Sequence, residues 1–404
     1  MKYKLSELTI DGKGSYGIAA SAVDYDPQKP TYLRITDIND DGTINFDGLK
    51  SVDDENSSKF VLKENDIVFA RTGASTGRSY FYQKEDGNFV YAGFLIKFSL
   101  DSHKVNPRYL KYYTHSKEYY DWVHSFDSGA TRGNINAKTF GDMLIDLPDR
   151  RCQDEIVSIL KDLDDKIAVN RRICENLEAQ AQALFKNWFI DFEPFKDGEF
   201  VETELGRIPK GWEVGMLKEI CVTNKRSIGR KVPSVIHYLD TGSITNNIIE
   251  QIQTLHNSTD EIPSRAKRLV QEGDIIFSTV RPNQKHYGFL LSPSLDLVVS
   301  TGFCVITANW SGYRHYIYQF LTQDKTVNLL QSIAEQSVST YPSINASDIE
   351  SLQIVIPPMS EMSKFAELLN KMYQMRDCKY KENQRLSALR DALLPKLMSG
   401  EVAV

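Results

Sequence analysis

The same text occurs twice in this chain. "ENDIVFARTGAS" from Glu64 returns as "EGDIIFSTVRPN" from Glu272, "VYAGFLIKFS" from Val90 as "VSTGFCVITA" from Val299, and "GNINAKTFGDMLIDLP" from Gly133 as "PSINASDIESLQIVIP" from Pro342. "KGSYG" from Lys13 is echoed by "KRSIG" from Lys225, and "YLRITDI" from Tyr32 by "YLDTGSI" from Tyr238. Five blocks in one order, at a period of about 209 residues, mean two copies of one module. The 404 residues leave room for two such cores.

Both copies share a layout. Roughly 150 residues of short strand-like runs and turns hold one aromatic, helix-like stretch. It is "PRYLKYYTHSKEYYDWV" in the first copy and "YRHYIYQFLTQDKTVNLL" in the second. The run "LVVSTGFCVITANW" is too short and polar to cross a bilayer and reads as one buried strand. A long periodic segment then follows in each copy. From Cys152 to Phe192, residues Ile156, Leu160, Leu163, Ile167, Asn170, Cys174, Leu177, Ala181, Leu184 and Trp188 alternate at spacings of four and three. Such a 3.5-residue repeat marks a coiled-coil seam. The second copy gives Phe365, Leu369, Met372, Arg376, Lys379, Asn383, Leu386, Leu389, Leu393 and Leu397, with a more polar middle. Asp149 and Ser360 are the expected N-caps; Pro194 is expected to stop the first helix and Pro395 to kink or end the second.

A helix of about 40 residues spans roughly 60 Å, more than one module can cover, so each helix is expected to pack on the other. Asn170 lies near the middle of the first seam, and Lys379 and Asn383 near the middle of the second. Polar residues at seam positions set register, and these meet only in an antiparallel arrangement. The expected fold is two tandem α/β (α+β) modules separated by two long α-helices that form an antiparallel coiled coil with pseudo-twofold symmetry. The expected boundaries are a first module at 1–150, a central helical spacer at 151–193, a second module at 194–358 and a C-terminal helical spacer at 359–404.

Two heads held a fixed distance apart suit duplex DNA, where one face recurs about every 34 Å. The heads differ in sequence, so a split, asymmetric target with an unread gap is expected. After each "DI(V/I)F" run the chain turns polar and basic. The first copy offers Arg71, Thr72, Ser75, Thr76 and Arg78; the second offers Arg281, Asn283, Gln284, Lys285 and His286. Arginine and lysine can donate two hydrogen bonds to guanine, and asparagine or glutamine can pair with adenine. A second polar loop adds Thr131, Arg132, Asn134, Asn136 and Lys138, matched by Ser339, Thr340, Tyr341, Ser343 and Asn345. The basic cluster Lys225, Arg226, Arg230 and Lys231 is a candidate for phosphate contact. Plain solvated loops are the alternative, since loops are generally polar. Apolar frames that match around loops that differ favour two specificities on one scaffold. A net charge of −6 argues against binding through bulk electrostatics and leaves the task to local basic faces.

Enzymatic signatures are sparse. Gly12, Gly14 and Gly17 have the G-x-G-x-x-G spacing, with Asp37 further on. A dinucleotide site also needs a helix of some ten residues before the acidic strand end, and Pro27 and Pro30 leave too little room. The second copy keeps only Gly229 and has Ser243 where Asp37 stands. The spacing reads as accidental, with the loop still a candidate for DNA-backbone contact. The Pro-Pro of "VIPPMS" lacks the flanking residues of an adenine methyltransferase motif, and no Walker, H-E-x-x-H or G-x-S-x-G motif occurs. Cys152, Cys174, Cys221, Cys304 and Cys378 are scattered and odd in number, which points to a reducing, cytoplasmic setting without disulfides or zinc. His115 and His124 read as surface or helix-packing residues rather than catalysts. The N-terminal "MKYKLSELTID" has no long apolar segment, and neither a membrane span nor a cofactor or metal is expected.

The layout and three local runs together resemble the specificity subunits of type I restriction–modification systems. The runs are "AQALFKNWFIDFEPF" from Ala181, "IPKGWEV" from Ile208 and "LLPKLMSGEV" from Leu393. The resemblance spans essentially the full length. It implies two α/β target-recognition domains alternating with two helical spacers, and a subunit without catalytic residues of its own. It implies double-stranded DNA as target, each domain reading one half of a bipartite site with spacer length setting the gap. It also implies docking of two modification subunits, which methylate adenine N6 with S-adenosylmethionine, and of restriction (motor–endonuclease) subunits through the complex. Two other readings stay open here: a DNA-reading component of a different restriction or methylation complex, and a cofactor-binding enzyme that uses the glycine loop.

Overall fold

The computed structural model describes residues 1–46, 48–126, 133–229, 233–336 and 342–402. The chain forms two compact units, Met1–Ala168 with Gln384–Val404, and Val169–Asn383. In the first unit an antiparallel sheet runs in the order Ser15–Tyr16, Leu95–Ser99, Asp66–Ala70, Ser79–Phe81. A second sheet runs Ala22–Val23, Lys50–Val52, Thr31–Leu33, Phe89–Tyr91, its last pair parallel. Lys2–Lys4 pairs with Leu144–Asp146. The second unit uses the same plan. Its antiparallel sheet is Cys221–Thr223, Phe303–Ala308, Asp274–Ser278, Tyr287–Leu290. Its mixed sheet contains the parallel pair Val235–Leu239 and Leu297–Ser300, and Glu213–Met216 pairs with Gln353–Ile356.

The repeated text "E-(N/G)-D-I" has a physical reason. Asn65 (φ 65°) and Gly273 (φ 79°) take the left-handed conformation that asparagine and glycine tolerate best. That turn feeds Asp66 and Asp274 into the central strand, where all five residues are buried. Each carboxylate is then satisfied in the same way. Asp66 accepts from Lys63 N at 2.8 Å and Ser99 Oγ at 2.6 Å; Asp274 accepts from Gln271 N at 2.8 Å and Thr307 Oγ1 at 2.6 Å. A cation completes each site, Lys97 at 3.2 Å from Asp66 and Arg226 against Asp274.

Several details depart from the sequence expectations. Each aromatic stretch is two helices, Pro107–Tyr113 and Lys117–His124 in the first unit, Arg314–Thr322 and Asp324–Gln336 in the second. The run expected as one buried strand is two, Leu297–Ser300 and Phe303–Ala308, broken by a turn at Thr301 and Gly302. Strand register also corrects two echoes. Phe69 faces Ile96, whereas Phe277 faces Cys304, so Gly302 stands where Phe94 does, not Gly93. Tyr16 faces Ile96, and Asn224 pairs through both its backbone N and its Oδ1 with Val305; this places Lys225, not Ile228, opposite Tyr16's role.

Both long helices have 40 residues, Arg150–Phe189 and Met359–Met398. Asp149 caps the first, its Oδ1 accepting from Cys152 N at 2.9 Å. Ser360 is not the cap of the second: Pro358 O already accepts from the amides of Glu361 and Met362, so Ser360 lies inside the first turn. The first helix stops before Pro194, where Asp191 N turns back to Lys186 O and Phe192 goes left-handed. Pro395 does not end the second helix. Its missing N–H removes one bond close to the terminus, while Leu393, Leu394, Leu397 and Met398 pack into the first unit's core beside Ile156 and Leu160. Leu389 is 48% exposed, and Arg390 turns inward to Asp164 at 3.1 Å instead.

Within each unit the two helices run antiparallel where they touch. In the first unit Asp164 takes Arg390 together with Lys111 at 2.7 Å and Tyr112 OH at 3.0 Å. Burial alone would raise that carboxyl, but the two cations hold it below the ordinary range. In the second unit Asn170, fully buried, donates to Asn383 Oδ1 at 2.9 Å, and Phe189 sits edge-on to Phe365 at 4.7 Å. Glu178 accepts from Tyr373 OH at 3.0 Å and Gln319 Nε2 at 3.2 Å. Among the described residues no helix is long and apolar enough to cross a membrane.

Candidate nucleic-acid interface

In the first unit three loops meet beside the edge strand Ser15–Tyr16. Ile135 N donates to Arg71 O at 3.0 Å, Thr76 Oγ1 to Gly133 O at 3.0 Å, and Ala137 N to the Tyr16 hydroxyl at 3.1 Å. Arg71 N donates to Phe94 O at 3.1 Å. Arg71, Thr72, Thr76, Asn134 and Asn136 thus converge at one end of the sheet, with Asn134 and Asn136 exposed. Asn136 also caps the helix Ala137–Gly141 by accepting from Thr139 N. Ser75 is buried, and Arg78 is committed to Asp40 at 2.6 Å and to Ile38 O.

The second unit builds the same junction from other residues. Ile344 N donates to Thr279 O at 2.8 Å, Arg281 N donates to Pro342 O at 3.0 Å, and Val280 bridges Ser343. Thr279 therefore takes the place of Arg71, and Arg281 takes that of Gly73. Both Gly73 (φ 77°) and Arg281 (φ 47°) are left-handed. An arginine there costs about 1–2 kcal/mol of backbone strain that a glycine avoids, and its side chain is exposed. Asn283 is exposed, its backbone N–H donating to Gln331 Oε1. Lys285, also left-handed, pairs with Asp324 at 2.9 Å, and His286 Nδ1 lies 2.7 Å from Ile244 O. Lys225 is exposed, whereas Arg226 is held by the buried Asp274. Thr131, Arg132, Arg230, Thr340 and Tyr341 lie outside the described residues.

The glycine-rich loop leads into no helix. Residues 15–16 are an edge strand, and Ala22–Val23 and Thr31–Leu33 come next. A side chain at Gly17 would lie 2.2 Å from the carbonyl oxygen of Ala92, so this glycine serves close strand approach. Two residues that sequence reasoning did not single out as readers stand at the same junction. Tyr16 is 43% exposed and Phe94 56% exposed. The signal for Phe94 was its place directly after a turn glycine, between two buried strands.

Matched frames with unlike tips define a duplicated recognition protein. A family model described as the type I restriction modification DNA specificity domain matches the chain twice, over residues 8–179 and 209–388. The type I restriction enzyme MjaIX specificity subunit of Methanocaldococcus jannaschii is 31% identical over 309 residues, 74% of this chain and 70% of that one. The HindI specificity subunit of Haemophilus influenzae is 22% identical over 414 residues, 85% and 88% of the two chains. The solved S subunit of a type I restriction–modification system from M. genitalium shares the fold, with a TM-score of 0.54 and 14% identity over 98% of this chain and 95% of its own. This chain belongs to that family and is a type I restriction–modification specificity subunit, a recognition component rather than a catalytic one.

Proposed function

We propose that each unit reads one half of an asymmetric, bipartite DNA sequence. The observation that carries this is the junction itself: equivalent backbone bonds hold Arg71 in one unit and Thr279 in the other, and Gly73 in one and Arg281 in the other. Geometry is kept while the side chains offered to a ligand change. The recognition domains are assigned to residues 1–150 and 194–358, and the helices at 151–193 and 359–404 act as an antiparallel spacer that sets the unread gap. Antiparallel contacts within each unit, and the Asn170–Asn383 bond that fixes their register, support that role. Two modification subunits dock on this chain to methylate adenine N6, and restriction (motor–endonuclease) subunits join through them, in the cytoplasm where the DNA lies.

The test is selection from randomised duplexes by the chain assembled with its modification subunits. Two short, different blocks separated by a gap of fixed length are expected. A single contiguous block, or a palindrome, overturns the reading. Two modification subunits per chain by native mass is the expected stoichiometry.

A further inference from the structure

Arg71 differs from Arg78 and Arg226, its neighbours in kind near the junctions. Arg78 is paired with Asp40 and Arg226 with Asp274, but Arg71 carries no ion pair among the described residues, and its Nε is buried without an acceptor. Its guanidinium carbon instead lies 5.2 Å from the centre of the Tyr16 ring and 5.8 Å from that of Phe94. The clamp is fixed from behind, since Phe94 O accepts from Arg71 N and the Tyr16 hydroxyl accepts from Ala137 N. A cation packed against two rings is restrained in position, and burial of Nε leaves the Nη1 and Nη2 end to meet a ligand. Among the described residues the second unit has no such clamp: the equivalent places hold Lys225, Thr279 and Gly302.

A phosphate contact needs the charge more than a fixed plane, and does not use an exposed ring beside it. A purine edge uses the plane, because guanine presents O6 and N7 as a planar acceptor pair matched to the guanidinium fork. A neighbouring thymine places its methyl group where an exposed phenyl ring can pack on it. We propose that the first unit reads a guanine through Arg71 and a thymine beside it through Phe94, with Tyr16 as a positioning residue, and that the second unit has no counterpart of this reader. This rests on the DNA reading proposed above.

The test uses the full chain assembled with its modification subunits and duplexes carrying its own target. Each guanine is replaced in turn by 7-deazaguanine, which lacks the N7 acceptor, and each thymine by uracil, which lacks the methyl. One guanine, in one half of the site, is expected to weaken binding roughly 5- to 150-fold when replaced, with no further loss in Arg71→Ala. The adjacent thymine-to-uracil change is expected to weaken binding in the native protein and not in Phe94→Ala. The native protein alone tests the idea if Arg71→Ala fails to fold: a site in which no guanine responds to loss of N7 overturns it. So does an Arg71→Ala variant that loses affinity equally for all sequences and lowers the salt slope by about one, the behaviour of a phosphate contact. Either result leaves the two-half reading standing, whereas a complex that does not prefer its own target over random duplex removes that reading too.

Discussion

Asp274 is fully buried and bound by a backbone amide, a threonine hydroxyl and Arg226. Asp274→Asn removes the charge that Arg226 answers, so the second unit is expected to lose about 3 kcal/mol of stability, read by urea unfolding. Two histidines, His315 buried and His115 partly so, give the chain an acid response. His115 in the first unit and His315 in the second are pushed down to about 4, chiefly by burial. The unfolded chain takes up a proton at each near pH 6.5, and the folded chain does so only near 4. Their stabilisation is therefore complete only well above pH 6.5 and falls as the pH drops through 6.5 toward 4, by about 1.5 kcal/mol per histidine between pH 6.5 and 5. Replacing His315 by Phe keeps a ring against Tyr373, and denaturation of this variant at pH 7 and pH 5 is expected to show a shallower pH loss than the native chain. At this scale the sequence showed that "E-(N/G)-D-I" matters twice, because the letters recur. It could not show why, since Ser99, Thr307 and Arg226 meet those carboxylates only across strands. Tyr16 and Phe94 were missed for the same reason: aromatics in strand-rich text read as core until register places them at a tip.

The long helices were legible as elements, with Asp149 in its expected capping place. Their seams drifted. A strict seven-residue count put Leu389 inward, but a straight helix slips by about 20° per heptad against that count. By that point Arg390 has taken the inner face, just as Phe185 and Phe189 are buried more deeply than Leu184 and Trp188. Pro395 shows that a helix breaker is weighed against its surroundings. The helix passes through it because the apolar residues on either side are packed. Pro395→Ala restores a backbone donor to Asp391 O without touching that packing. A gain of about 1 kcal/mol is expected, seen as a higher melting temperature and as slower hydrogen exchange in the helix's last turn.

At the scale of the whole molecule, duplication was the most legible property, because it is written in order and in spacing. Which bases the tips prefer was not, because that depends on how Arg71, Thr279 and Arg281 are carried by loops whose pairing the text does not encode. If the helices set the gap between half-sites, one heptad inserted in both lengthens the tolerated gap by whole base pairs, at most about three, since seven residues rise about 10 Å. Selection from randomised duplexes reads this directly, and an unchanged gap removes the spacer role.

The first unit's core includes Leu397, with Leu393, Leu394 and Met398 packed against it, although the rest of that core lies before residue 169. A nascent chain leaving the ribosome therefore holds every residue of the second unit before it holds all of the first. The module synthesised first is the one completed last. A stop or frameshift within residues 384–402 would wound the half of the protein encoded at the opposite end of the message.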